Sequence, residues 1–93
     1  MSDNKTKTSV RSKFEYEESG ETAYLEFETD SGGWITLWHT EVPKALRGRG
    51  IAAMLAKTAL EYARDNKLKV DVICPLVADF IHKNPEYKSL VGK

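Results

Sequence analysis

From Lys13 onward the chain alternates between apolar and charged positions. "KFEYEES" sets Phe14 and Tyr16 against Lys13, Glu15 and Glu17, and after Gly20 "TAYLEFE" repeats the rhythm. A period of two is that of a strand with one wet face, and two such runs around a glycine predict a hairpin. "DSGG" at residues 30–33 then turns the chain into "WITLWHT", a third strand. Its Ile35, Leu37 and His39 share one face and Trp34, Thr36 and Trp38 the other. Both faces read as covered. From Ile51 the period lengthens: Ile51, Met54, Leu55, Thr58, Ala59 and Tyr62 form one helical stripe opposite Lys57, Glu61 and Arg64. Asn66 and Lys67 suit the end of that helix. "LKVDVIC" is a fourth strand, and strand, helix, strand implies a right-handed parallel crossover. Pro75 then opens a short second helix, buried through Leu76, Val77, Phe80 and Ile81 and stopped at Asn84 and Pro85.

The fold class is therefore α/β: a twisted, mostly antiparallel sheet with one parallel strand pair, a main crossover helix and a short second helix. Residues 1–12 are polar and read as a disordered tail, which leaves 13–93 as a single domain. Lys plus Arg and Asp plus Glu each number 14, so the net charge is zero and the basic excess of a nucleic-acid binder is missing. The single cysteine, Cys74, excludes an internal disulfide framework, and no cluster has metal-ligand spacing. No signal-like or membrane-length apolar run occurs. The expectation is a cytoplasmic protein without membrane or nucleic-acid partners, a monomer or weak homodimer.

Charge placement raises a sharper question. Lys44, Arg47 and Arg49 surround the start of the main helix, where the backbone already carries partial positive charge. Gly48 and Gly50 stand there too, although glycine weakens a helix unless the backbone must turn sharply or approach something closely. A bound anion answers both points, because unpaired amides at a helix start form an anion site. The two parallel strands end on the same edge, with His39 and Cys74 at their carboxyl ends, where ligands of such folds bind. The Walker pattern is missing. Gly48, Gly50 and Ala53 match G-x-G-x-x-A with Asp71 about twenty residues on, a dinucleotide fingerprint, but a loop containing Pro43 separates these glycines from the strand.

Arg47, Gly50 and Ala52 also fit the pyrophosphate-binding signature of the GNAT N-acetyltransferases: Gln or Arg, two residues, Gly, one residue, Gly or Ala. The longer stretch "HTEVPKALRGRGIAAMLA", with "CP" after the next strand and then "NPEYK", resembles the minimal, single-domain GNAT-like acetyltransferases from about Phe14 to Leu90. The resemblance implies a splayed parallel strand pair with an acetyl-CoA or coenzyme A site between its strands. The pyrophosphate loop would be Arg47, Gly48, Arg49, Gly50, Ile51 and Ala52, and the strand lending backbone bonds to the pantetheine arm would end near Glu41 and Val42. In the minimal family a histidine and a cysteine stand where His39 and Cys74 stand here, the implied catalytic pair. Larger members have two helices after the first strand and two final strands that find no counterpart here, so the acceptor, a small-molecule or protein amine, is not named. Phe80 and Ile81 occupy the region where larger relatives often carry a tyrosine that protonates the departing thiolate.

Two functions follow. One is an acetyl-CoA-dependent N-acetyltransferase, with acetyl transfer direct or through Cys74. The other is a non-catalytic coenzyme A-binding or protein-interaction module, which would bind the cofactor without transferring the acetyl group. A cysteine at a strand end is also a common small buried hydrophobe, but a helix N-terminus after it favours the reactive thiolate. His39 could equally be a satisfied histidine at the edge of the core, and His82 lies in a last helical turn where cationic character is simply favoured.

Overall fold

The computed structural model describes residues 9–92. Three strands, β1 (Ser9–Glu18), β2 (Glu21–Asp30) and β3 (Trp34–Glu41), form an antiparallel meander. After a short 3-10 turn at Lys44–Leu46 comes helix α1 (Ile51–Asp65), followed by β4 (Lys69–Val72), which pairs with β3 in parallel. Helix α2 (Pro75–Lys83) and a 3-10 turn at Pro85–Leu90 complete the order, and Val91 makes one parallel bridge to Val70. The sheet order is β1-β2-β3-β4, so the expected mixed sheet with one parallel pair and two helices is the fold.

β1 starts earlier than the hydrophobic alternation does. Residues 9–12, assigned by sequence to the tail, pair in register with residues 27–30 of β2. Backbone pairing to a long neighbour extends the strand where its side chains give no periodic signal. Residues 1–8 of the expected tail lie outside the described residues.

The core lies between one face of the sheet and the helices. Ala23, Leu25, Ile35, Leu37 and Val70 are all fully buried on that inner face. α1 touches all four strands, and α2 packs on α1, β3 and β4. The α1 stripe is rotated from the sequence expectation: Ile51, Leu55, Ala56, Ala59, Leu60 and Ala63 are buried, whereas Met54, Thr58 and Tyr62 are exposed. Small alanines let the helix sit close to the sheet, and Tyr62 reaches over the edge to Phe14, 5.6 Å between ring centroids. In α2, Val77 and Ile81 are buried, while Leu76 stays half exposed.

The outer face of the sheet differs from the reading of a third strand covered on both sides. Lys13, Glu15, Glu17, Tyr24, Glu26, Glu28, Trp34, Thr36 and Trp38 alternate with the core residues, and none of them is buried. Trp38 is half-buried and donates from Nε1 to Glu28 Oε1 at 3.2 Å. An antiparallel sheet tolerates one solvated face, and here the helices occupy only the other.

Candidate functional site

The site begins with an irregularity in β3. Phe27 pairs with Leu37, but Glu26 pairs with His39, so Trp38 is an extra residue and the strand carries a β-bulge. A bulge shifts the side-chain alternation of the residues beyond it. Leu37 points into the core, and the residue facing inward after the bulge is Thr40, not His39. Thr40 is 7% exposed and Cys74 1%. The Thr40 Oγ1 and Cys74 Sγ atoms lie 3.2 Å apart. His39 instead lies exposed on the outer face, its Nε2 3.3 Å from Glu41 Oε1 and its ring edge-on to Tyr24.

β3 and β4 part just beyond the bulge. The Leu37 carbonyl accepts from the amides of both Ile73 and Cys74 at 3.0 Å, which ends the parallel ladder. β3 runs on to Glu41 with only β2 beside it. The gap opens into a cavity of about 340 Å³ lined by Thr40, Glu41, Val42, Leu46, Arg47, Gly48, Gly50, Ile51, Ala52, Ala53 and Leu76. That volume is at the lower end for small-molecule sites.

Its far wall is the start of α1. Gly50, the N-cap residue, has φ 75° and Gly48 has φ 79°. Both lie in the left-handed region that costs any other L-residue roughly 1–2 kcal/mol, and a Cβ added at either would meet nothing within 4 Å. The turn thus demands glycine for its backbone, and the space beside it stays open. No side chain caps α1 and its first turn holds no acidic residue. The first amides of a helix have no intrahelical acceptor, and here the residues that carry them, Ile51, Ala52 and Ala53, line the cavity.

Comparison with known proteins bears directly on this arrangement. The profile of a family described as GCN5-related N-acetyl-transferase matches residues 13–90. The chain belongs to the GCN5-related N-acetyltransferase family. Relatives named Protein NATD1 are similar to it: the chain is 40% identical to the one from Xenopus tropicalis over 63 residues, 68% of this chain and 58% of that protein. Against the one from Danio rerio it is 39% identical over 67 residues, 72% of this chain and 61% of that protein. With the Bos taurus protein the identity is 47% over 51 residues, 55% and 45% of the two chains. The chain spans about half the length of the curated relatives it matches.

In this N-acetyltransferase-family chain, most of the expected loop residues converge. Glu41, Val42, Arg47, Gly48, Gly50, Ile51 and Ala52 all line the cavity. Arg47 Nε donates to the Val42 carbonyl at 3.0 Å, which folds the guanidinium back across the loop. Arg49 does not line the cavity. Its Nη1 donates to Glu18 Oε2 at 2.7 Å, tying the loop to the end of the first hairpin. That partner lies 31 residues away in sequence, so no local pattern announces it. The expected pair of His39 and Cys74 is not brought together either, because the bulge turns the imidazole to the opposite face. Sequence reading missed Thr40, Leu46, Ala53 and Leu76 as lining residues. Two of these left a trace: Thr40 as a polar residue next to His39 at the end of an apolar strand, and Ala53 as the last position of the glycine pattern.

Glu18 joins Arg49 to Tyr16, whose hydroxyl donates to Glu18 Oε1 at 2.8 Å. The Tyr16 hydroxyl and then the Arg49 guanidinium hold the Glu18 carboxyl below its ordinary range, and the same carboxylate pushes the Tyr16 phenol up. A carboxyl held low in the folded state adds stability above its unfolded value, near 4.3, and loses it as pH falls through the lower folded value. Glu18→Gln is therefore expected to be less stable than the parent at pH 6, with the difference shrinking as the pH falls below the unfolded value. Paired urea titrations across that range check it, and a gap independent of pH would show that the carboxylate's charge is not what counts.

Proposed function

We propose that the chain transfers the acetyl group of acetyl-CoA directly to an amine acceptor. One observation carries the reading: the cavity joins an uncapped helix N-terminus in a glycine turn to a gap between parting parallel strands. The two ends ask for different chemistry. The turn offers open space, backbone donors and the Arg47 guanidinium, which suit a diphosphate. The gap offers the edge of β3 that β4 leaves open, ending at Glu41 and running on to Val42, against which an amide-bearing arm can lie as an added strand. Acetyl-CoA has a diphosphate and such an arm in that order, and it supplies the activated acetyl group.

The chain's own residues divide the remaining work. Val42 and Leu46 wall the arm from water, and Arg47 exchanges the Val42 carbonyl for a phosphate oxygen. His39 lies outside the cavity lining, but its Nε2 is 3.3 Å from Glu41 Oε1 and Glu41 lines the cavity, and we assign the imidazole to accept the proton of the attacking amine. Cys74 is buried against Thr40 with no imidazole beside it, which favours direct transfer over an acetylated cysteine. A coenzyme A-binding module without transfer is the second reading, and the same cavity supports its binding half.

Isothermal titration with acetyl-CoA tests the site. Saturable binding is expected, and Arg47→Glu should weaken it by about ten- to a hundredfold, the loss of one charge-assisted hydrogen bond plus repulsion of the phosphates. An unchanged dissociation constant would remove the loop from the site. Intact mass after incubation is expected to show no acetyl adduct on the parent protein. A stable adduct on Cys74 would replace direct transfer by the covalent route.

A further inference from the structure

The buried contact between Thr40 and Cys74 leaves a hydrogen without a partner. A threonine hydroxyl and a cysteine thiol each carry one donor hydrogen, and the 3.2 Å contact between them uses only one. Among the described residues neither side chain makes another hydrogen bond. Thr40 lines the cavity and Cys74 does not. An oxygen acceptor entering the cavity offers the hydroxyl a better partner than sulfur, and the thiol can then turn its own hydrogen onto Thr40 Oγ1.

We infer that Thr40 donates a hydrogen bond to the acyl carbonyl oxygen of the bound thioester, with the Cys74 thiol as a second donor behind it. The inference rests on the acetyl-CoA reading and adds to it the group that polarises the thioester. Orientation follows from the two ends of the cavity. With the diphosphate at Gly48, Gly50 and the first amides of α1, the arm runs toward the point where β3 and β4 part, and Thr40 stands there. A chain of S–H to O–H to C=O strengthens each bond through the next, and a donor aimed at a carbonyl oxygen where negative charge grows lowers the barrier to attack. Cys74 thereby acts as a positioning residue and not as a nucleophile. The bulge is what makes this possible, since an unbroken strand would place His39 on the inner face and Thr40 outside.

Isotope-edited infrared spectroscopy of acetyl-CoA labelled with carbon-13 at the acetyl carbonyl tests the assignment without turnover or an acceptor. The carbonyl band is expected to move to lower frequency on binding to the parent protein. Thr40→Ser should keep that shift, Thr40→Val should abolish it, and Cys74→Ala should reduce it. In parallel, Thr40→Val should bind coenzyme A, which has no acyl carbonyl, within about twofold of the parent, while its affinity for acetyl-CoA falls about three- to tenfold. The coenzyme A titration also shows that the variant is folded. An equal band shift in Thr40→Val and the parent would overturn the role of Thr40 while leaving acetyl-CoA binding intact. Failure of the parent to bind acetyl-CoA at all would overturn the underlying reading, and the inference with it.

Discussion

Replacing Leu37 by alanine is expected to lower the unfolding free energy by about 2–5 kcal/mol, the range for deleting a fully buried leucine side chain. Leu37 is 0% exposed. It pairs with Phe27 on one side and Val72 on the other, at the last position where β3 holds both neighbours. The cavity left behind has little to fill it, because the adjoining core residues are held by the sheet on one side and by helices α1 and α2 on the other. For a domain whose whole stability is about 5–15 kcal/mol, this is a large share. Its carbonyl also ends the parallel ladder, so loss of packing there loosens the mouth of the cavity. Urea denaturation of parent and variant, compared at equal slope, measures the cost. A loss below about 1 kcal/mol would show that the position collapses easily and does not anchor the site.

The second large effect is expected at His39. If its imidazole takes the proton of the attacking amine, His39→Ala should lower turnover about a hundredfold or more while acetyl-CoA affinity stays within about twofold. The split follows from geometry: Glu41, which orients the ring at 3.3 Å, lines the cavity, whereas the ring itself does not. Glu41→Gln should fall between parent and His39→Ala, since it keeps a hydrogen-bond acceptor for the ring but removes the charge. Steady-state rates over a panel of primary amines, with acetyl-CoA affinity measured separately, decide the matter. Unaltered turnover in His39→Ala would leave the histidine a surface group. Parallel loss of fold and binding would make it structural.

Much of the architecture is legible in the residue pattern. The alternation around Phe14, Tyr16, Tyr24 and Phe27 gives the hairpin, and the change of period at Ile51 gives the crossover helix. Pro75 marks the start of α2, and Lys83 is its last residue, immediately before Asn84 and Pro85. The glycine turn is legible as well, because Gly48 and Gly50 among cations have no local structural excuse. What stays hidden are features set by distant partners. "WITLWHT" alternates without a break, and nothing in it marks Trp38 as an extra residue, so a period of two carries His39 onto the wrong face. The extent of β1 is set by pairing with residues 27–30, and the burial of Ala56 and Ala63 by how closely α1 approaches the sheet. Met54 and Thr58 fit the same helical spacing until that approach is known.

The one-sided packing of helices on the sheet separates charge among the described residues in a way that the balanced composition conceals. By register, the outer face bears Glu15, Glu17, Glu26, Glu28, Glu41 and Asp71 together with Arg11, Lys13 and Lys69, an acidic excess. Between Lys44 and Lys67, on the loop and α1, six cations stand against only Glu61 and Asp65. Opposite charges thus sit on opposite sides of a body whose shortest dimension is 20 Å, about two screening lengths at physiological salt. An anion approaching from solution feels the loop side as attractive and the sheet side as repulsive, and a cation feels the reverse. The chain therefore sorts oppositely charged visitors by direction of approach, with no net charge to favour either.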